Sequence, residues 1–492
     1  MSNNMLRQEA TIRRLEIFGL AKSDSVRLTK HINDLILCNG PEWTVTRLKA
    51  IKVGYIQHIA GKTPKFEWIK TKLGLPGGAL RPIFGLKNPQ KILSCLMVYS
   101  SLVSSKITPK QWKKFKSSVV KERKSDFLIF KSFLFESLRE RVVINDLSLP
   151  KLDSDRSIHM YLSKRRQPNY RTTDYKTVDG TALNTFNSFG HGKARKFIST
   201  NLSGLPEWFI KEMSSRWSTI QQVQYSLDRY DFVGRISFIQ EPGFKLRAIA
   251  NPLPCFQVLL EPLKKSLLDL LKKVPNDFTH DQDSGCKYIQ NLLSDTTMSS
   301  IDLSDATNNL PLKDQIMMLE AIYGHSHPLI RLFEDISTSK WIVDSPEGDQ
   351  FLRWNTGQPL GLGPSFASFA LYHHFIVRFA LVLGGEVEAI NDLVKSLCGL
   401  EPSKKYPYAI VGDDISISSQ YQEHYLSVMK SLECDISMDK CIFESTTAEF
   451  CSRIITVSHV YRQYKWTEVN DKSFIDFCKH HGPRATALLK PN

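Results

Sequence analysis

Two short stretches place aspartates where a strand would end. SSIDL at 299–303 alternates Ile301 and Leu303 on one face with Asp302 on the other. YAIV at 408–411 meets Gly412, Asp413 and Asp414, after which ISIS at 415–418 resumes the alternation. This second pattern predicts a hairpin with two carboxylates at its tip. Carboxylates so placed repel one another unless a cation lies between them, and hard Mg2+ prefers oxygen ligands together with water and phosphate. A lone strand-end aspartate is as often an ordinary turn residue, and a Gly-Asp-Asp triplet arises readily by chance, so the placement between strands carries the weight.

Other segments could meet a phosphorylated substrate at such a centre. Lys245 and Arg247, two apart on a probable strand, project from one face, and two cations aimed together suit a triphosphate. The glycine-rich loop at 357–365 (GQPLGLGPS) opens onto a helix over 366–382. Its backbone could approach a ribose or phosphate closely, with Ser365 offering a hydroxyl, although a plain loop before a core helix looks the same. Lys440, in SMDKC at 437–441, is by type a surface residue that only the order of the segments makes interesting.

These residues need elements to position them. A helix after Asp302 would be capped by Asn309, carry Pro311 near its first turn, and bury Ile316, Leu319, Ile322 and Tyr323. Residues 6–144 are mainly helical in pattern. Within them, 106–124 concentrates lysines around Trp112 and Phe115, which fits a solvated helix face and an RNA-contacting surface about equally. The polar stretch 161–196 mixes Lys164, Arg165, Arg166, Arg171, Lys193, Arg195 and Lys196 with Tyr161, Tyr170, Tyr175 and Phe186. Cations for phosphates and rings for bases suit a single-stranded template path.

The 492 residues allow two to four lobes, and the ordinary 42% hydrophobic and 23% charged composition excludes whole-chain disorder, collagen-like repeats and a disulfide miniprotein. A net charge of +15 points to a polyanionic partner, nucleic acid ahead of anionic membrane. Nine scattered cysteines without a Cys-x-x-Cys pair suit a reducing compartment and no zinc ribbon. The first 20 residues lack a signal-peptide core, and Glu9 and Glu16 argue against a transit peptide. The most apolar stretch, 365–385, is broken by His373, His374 and Arg378 and is expected to be a buried helix, with no transmembrane segment.

A basic pair, a strand aspartate, a glycine loop with its helix, an Asp-Asp hairpin and a later lysine follow the order of motifs F, A, B, C and D of right-hand polymerases. The chain closely resembles the RNA-dependent RNA polymerases of the mitovirus, narnavirus and levivirus lineage of positive-strand RNA viruses. The residues that carry the resemblance are KLRAIANP at 245–252, SIDLSDAT at 300–307, GQPLG at 357–361 with SFASFALYHH at 365–374, VGDD at 411–414, and MDKC at 438–441 with AEF at 448–450. They cover about 234–456, and the first 230 residues carry no matching motif. The resemblance implies an α+β right-hand fold of fingers, palm and thumb, with an antiparallel palm sheet flanked by helices. It divides the chain into a helical N-terminal region (1–160), fingers with motif F (161–297), palm (298–456) and a short thumb or C-terminal extension (457–492).

It also implies nucleotidyl transfer on an RNA template, with NTPs as substrates and two Mg2+ ions, replaceable by Mn2+, bound by Asp302 and Asp413 with Asp414 in support. Lys245 and Arg247 would neutralise phosphates, Asn308 and Ser365 would read the sugar, Gly357 would belong to the NTP-binding loop, and Lys440 would stand near the leaving pyrophosphate as a proton donor. Two departures bear on this. Asn308 stands where the family commonly has Asp, and Pro364, Ser365 and Phe366 stand where it often has Ser-Ser-Trp. Few residues follow Asp414, so a thumb must be small, supplied by a second subunit, or partly formed by the N-terminal region. A reverse transcriptase and a non-catalytic RNA-binding subunit with a polymerase-like palm are the competing expectations, and replication would take place in the cytoplasm or mitochondrion of a host.

Overall fold

The computed structural model describes residues 5–123, 147–152, 188–210 and 232–466, apart from isolated positions within them. Eleven strands form three sheets among these residues. β1 (Gly234–Glu241) and β2 (Lys245–Pro252) make a hairpin that joins β4 (Trp341–Ser345) and β5 (Gly348–Leu352) in the order β2-β1-β4-β5. β3 (Met298–Ile301), β6 (Tyr408–Val411), β7 (Asp414–Ser418) and β8 (Ile442–Ser445) form a second sheet, ordered β6-β7-β3-β8 and antiparallel throughout. β9 (Thr447–Phe450), β10 (Arg453–Thr456) and β11 (Val460–Arg462) make a three-stranded meander. With helices packed around them, these sheets give the α+β architecture expected.

The helix Ser365–Leu383 is the centrepiece of the main core. It is apolar on every side, as a helix with no solvent face must be, and His373, His374 and Arg378 are fully buried with it. It alone among the described helices is long and apolar enough to cross a membrane, yet the fold encloses most of it. Helices Pro254–Lys273, Leu312–Tyr323, Pro328–Ser337 and Ala389–Leu397 contribute to the same core.

The described part of the N-terminal region is mainly helical. Helices Gln8–Ile17, Lys22–Asn39, Pro41–Ile59 and Pro89–Leu96 surround a second core that includes Leu15, Leu28, Leu48 and Leu93. This core also takes in Ile454 of β10 and Trp466. The indole N–H of Trp466 donates to the Ser94 carbonyl at 2.7 Å, and its backbone N–H donates to Ser100 Oγ at 2.7 Å. The last described residues of the chain are therefore packed into the N-terminal core.

One local expectation is corrected. Asn309 does not cap the helix after Asp302; it lies inside a short turn, Ala306–Asn309, and its amide donates to the Ser304 carbonyl at 2.5 Å. Pro311 stands near the first turn of the long helix Leu312–Tyr323 as expected, directly preceding it, and the chain leaves helical geometry between the two helices at Leu310. In the basic helix Pro109–Val120, opened by a Thr108–Gln111 capping box, Trp112 is buried and meets Phe238 edge-on at 6.0 Å, while Phe115 meets Phe238 at 5.1 Å. Those rings are core groups, which leaves the lysines alone to face outward.

Candidate active site

Asp302 leaves the central strand β3 as the hairpin arrives beside it. Ile301 pairs with Ile415 across the β3–β7 ladder, so one further step along the antiparallel register brings Asp302 level with Asp414. In the hairpin itself Val411 pairs with Asp414, leaving Gly412 and Asp413 as a two-residue turn. Gly412 has φ +62°, as the first turn position of the hairpin type favoured by strand twist requires, and only glycine takes that conformation without cost. Three carboxylates thus converge on one end of the sheet, and Glu449 of β9 adds its field to theirs.

Their electrostatics are those of a crowded acidic cluster that neighbouring cations offset only in part. The side chains of Asp413 and Asp414 reach solvent, but the protein walls around them displace much of their hydration. That desolvation, with Asp302 alongside, raises the Asp413 carboxyl above the usual carboxylate range. Asp414 is pushed up to about 7 by desolvation and by Asp413, Glu449 and Asp302. Oxygen donors whose mutual repulsion is this strong fit a hard divalent cation, since positive charge among them would restore the ionised forms. Among the described residues no ready cage of three or more His, Cys, Asp or Glu ligands is closed, so water and substrate oxygens would complete any coordination.

Cations ring the cluster. Lys440, in the turn Met438–Lys440, pairs with Asp302 at 2.7 Å, and this turn is fastened to the strand end by Ser437 N–H donating to the Asp302 carbonyl at 2.8 Å. Lys245 is exposed on β2, while Arg247, two residues on, is paired with Glu241 at 2.7 Å across the hairpin. Lys49 was not legible as a site residue. It comes from the N-terminal helix Pro41–Ile59, donates to the Gly243 carbonyl in the β1–β2 turn, and has its pKa lowered to about 8 by burial and by Lys245, Lys440, Lys52 and Lys465. From the same helix Lys52 donates to Gln463 Oε1 at 2.6 Å, and Gln463 in turn donates to Glu449 Oε1 at 2.6 Å. No local sequence signal marks Lys49, because its importance comes only from what it packs against.

The glycine loop is built for close backbone contact within the protein. A Cβ at Gly357 would lie 2.1 Å from the Thr307 carbonyl oxygen, and one at Gly361, where φ is +120°, would lie 2.2 Å from that of Ala250. The loop is wedged between the turn after Asp302 and strand β2. Ser365 is buried and its hydroxyl donates to the Pro359 carbonyl at 2.9 Å, closing the loop on itself. Asn308 is also engaged: its Nδ2 donates to Ser118 Oγ at 3.1 Å and its Oδ1 accepts from Trp354 Nε1 at 2.9 Å. The hydroxyl and amide expected to meet a sugar therefore brace the loop and the basic helix Pro109–Val120 in this structure.

The expected template path is described only in part. Lys164, Arg165, Arg166 and Arg171 lie outside the described residues. Lys193, Arg195 and Lys196 sit on the helix Gly192–Asn201, where Lys193 pairs with Asp335 at 2.6 Å and Lys196 is exposed.

The family model for mitovirus RNA-dependent RNA polymerases matches residues 170–460, more than half of the chain and every segment of this site from β1 to β10. The chain belongs to the mitovirus RNA-dependent RNA polymerase family. The family's segment begins ahead of the motifs legible in the sequence, and it leaves Lys49 and the N-terminal core outside. The RNA-directed RNA polymerase of Cryphonectria parasitica mitovirus 1 is 30% identical over 230 residues, which are 45% of this chain and 25% of that protein. The alignment thus spans a quarter of that relative's length. An uncharacterized mitochondrial protein of Arabidopsis thaliana is 27% identical over 193 residues, covering 38% of this chain and 70% of that one. The solved RNA-dependent RNA polymerase of bacteriophage phi12 aligns with a TM-score of 0.43 at 9% identity, over 76% of this chain and 66% of the other.

Proposed function

We propose that this chain is an RNA-directed RNA polymerase that copies a positive-strand viral RNA genome by nucleotidyl transfer. The observation that carries the reading is the convergence of Asp302 with Asp413 and Asp414 at one end of an antiparallel sheet, in a chain of this family. Asp302 and Asp413 would hold two divalent ions, Mg2+ with Mn2+ as substitute, and Asp414 would support them. When bound, these ions would lower the pKa of the attacking 3′-hydroxyl and neutralise charge on the α-phosphate and the departing pyrophosphate.

The chain's own residues do the rest. Lys245 and Arg247 present positive charge from one face of β2 toward the triphosphate, with Arg247 oriented by Glu241. Lys49 adds a cation from the N-terminal helix on the same side. Lys440 pairs with the Asp302 carboxylate, and it would donate a proton to the leaving pyrophosphate. The glycine loop and the helix Ser365–Leu383 fix the floor on which Asp413 stands.

Residues 161–297 are assigned as fingers and 298–456 as palm. The N-terminal core packs around Ile454 of β10 and Trp466, which supports counting the N-terminal region as part of the polymerase body. RNA template, RNA product and NTPs are the partners. The setting is inside a host cell, with the mitochondrion supported by the family and by the Arabidopsis relative. Incorporation of labelled NTPs on an RNA template, with and without divalent ions, tests the reading. RNA binding without any incorporation would favour the non-catalytic subunit, and incorporation of dNTPs alone would favour a reverse transcriptase.

A further inference from the structure

The turn residue Gly412 is gripped by one helix at two points. A Cβ added to it would lie 2.9 Å from Cε2 of Phe366, in the first turn of the helix Ser365–Leu383. Two turns along that helix, His373 Nδ1 lies 2.8 Å from the Gly412 carbonyl oxygen, and its Nε2 lies 2.8 Å from the hydroxyl of Tyr425 on the helix Gln422–Ser431. A carbonyl oxygen can only accept, so Nδ1 carries the proton, and in the neutral ring Nε2 accepts from Tyr425. His373 and Tyr425 are both fully buried, so no water competes for either bond.

The same helix holds the start of the strand. His374 bridges Tyr408 Oη and Asp277 Oδ2 at 3.0 Å each, and Arg378 donates to Tyr408 Oη at 2.8 Å and to Asn276 Oδ1 at 2.9 Å. Strand β6 is thus anchored to one rigid helix at its first residue, Tyr408, and again at the turn just past its last. The second anchor differs from an ordinary buried histidine contact in one respect. The carbonyl it holds belongs to the peptide unit whose other end is Asp413, and a peptide unit is planar, so its orientation sets where the Asp413 backbone lies.

We propose that His373 is a positioning residue for the metal-binding carboxylates: by donating to the Gly412 carbonyl it fixes the height of Asp413 relative to Asp302. The inference rests on the polymerase reading above. It assigns the helix Ser365–Leu383 a task besides packing and loop support, which is to set the geometry of the Asp-Asp hairpin from below. Phe366 fits the same task, its ring lying against the one turn residue that has no side chain.

Two substitutions separate positioning from mere packing. In His373→Asn the shorter amide can place its N–H near the position of Nδ1 and keep the Gly412 bond while losing Tyr425. In His373→Gln the longer amide reaches the position of Nε2, keeping Tyr425 while losing Gly412. Mn2+ binding to the full chain is followed by electron paramagnetic resonance without nucleotide, and single-nucleotide incorporation and thermal unfolding are measured on the same preparations. The expected result is that His373→Gln weakens Mn2+ binding and slows incorporation by about tenfold or more, with RNA affinity within about twofold of the parent. His373→Asn recovers most of both at an equal or greater loss of unfolding temperature. If His373→Gln binds Mn2+ like the parent, or if losses in both variants simply follow their unfolding temperatures, the proposal is overturned. A parent chain that neither binds Mn2+ nor incorporates nucleotide would overturn the polymerase reading itself, and this inference with it.

Discussion

Neutralising Asp302 or Asp413 is expected to be far more damaging than neutralising Asp414. Asp302→Asn and Asp413→Asn should each lower incorporation by on the order of a hundredfold or more while RNA binding stays near the parent value, and Asp414→Asn should be milder. Near-parental synthesis by either of the first two would remove them from the centre. A different carboxylate contributes to acid stability. Asp392 is fully buried, and although burial alone would raise its pKa, bonds from the Ser403 hydroxyl and backbone N–H, from Lys395 and from Tyr406 bring it down to about 2. A depressed folded-state pKa contributes stability that is complete above the unfolded value near 3.8 and is lost as pH falls toward 2. Asp392→Asn should therefore cost about 2 kcal/mol at pH 7 and much less at pH 2, read by denaturant unfolding at the two pH values. An equal cost at both would mean that packing rather than charge is at work. Asp413 and Asp414 could be singled out from type and spacing, whereas Asp392 could not, because its four donors come together only when the loop before β6 folds back onto the helix Ala389–Leu397.

At the scale of elements, the Asp-Asp hairpin, the buried helix Ser365–Leu383 and the strand carrying Lys245 and Arg247 were legible because each is written in local periodicity and turn chemistry. The glycine loop was legible as a loop, but what its glycines approach was not. Gly357 lies against the backbone of Thr307 and Asn308, a contact between segments some fifty residues apart. Gly357→Ala should thus destabilise the fold by roughly 1 to 3 kcal/mol as an overpacked contact and disturb the Asp302 turn with it. Unfolding and incorporation measured together check this, and an alanine variant equal to the parent in both would show that the wedge is slack. The same distinction explains Asn308 and Ser365, whose types suit sugar recognition but whose partners, Trp354, Ser118 and Pro359, are set by packing. Trp112 and Phe115 were ambiguous for a related reason: an aromatic among lysines reads alike whether it faces a base or a core.

For the whole molecule, the N-terminal region is part of the site's surroundings despite lying outside the family segment. Helix Pro41–Ile59 brings Lys49 to the β1–β2 turn and Lys52 to Gln463, and Gln57 donates to the Asp439 carbonyl at 3.0 Å beside Lys440. Lys49→Gln is expected to raise the KM for NTP several-fold with a smaller change in kcat, since on the proposed reading it removes positive charge from the substrate side and leaves the carboxylates alone. A kcat loss at unchanged KM would show that Lys49 only braces the turn. The sequence by itself determined which aspartates, hairpin, loop and helix make up the candidate centre and their order along the chain, because hairpin tips and buried helices are specified by residue type and short-range pattern. Only the tertiary structure decided which cations surround that centre, what the glycine loop touches, and that His373 stands beneath Gly412. These depend on contacts between residues tens to hundreds of positions apart, and no periodicity of 2 or 3.6 records which distant segment a buried face will meet.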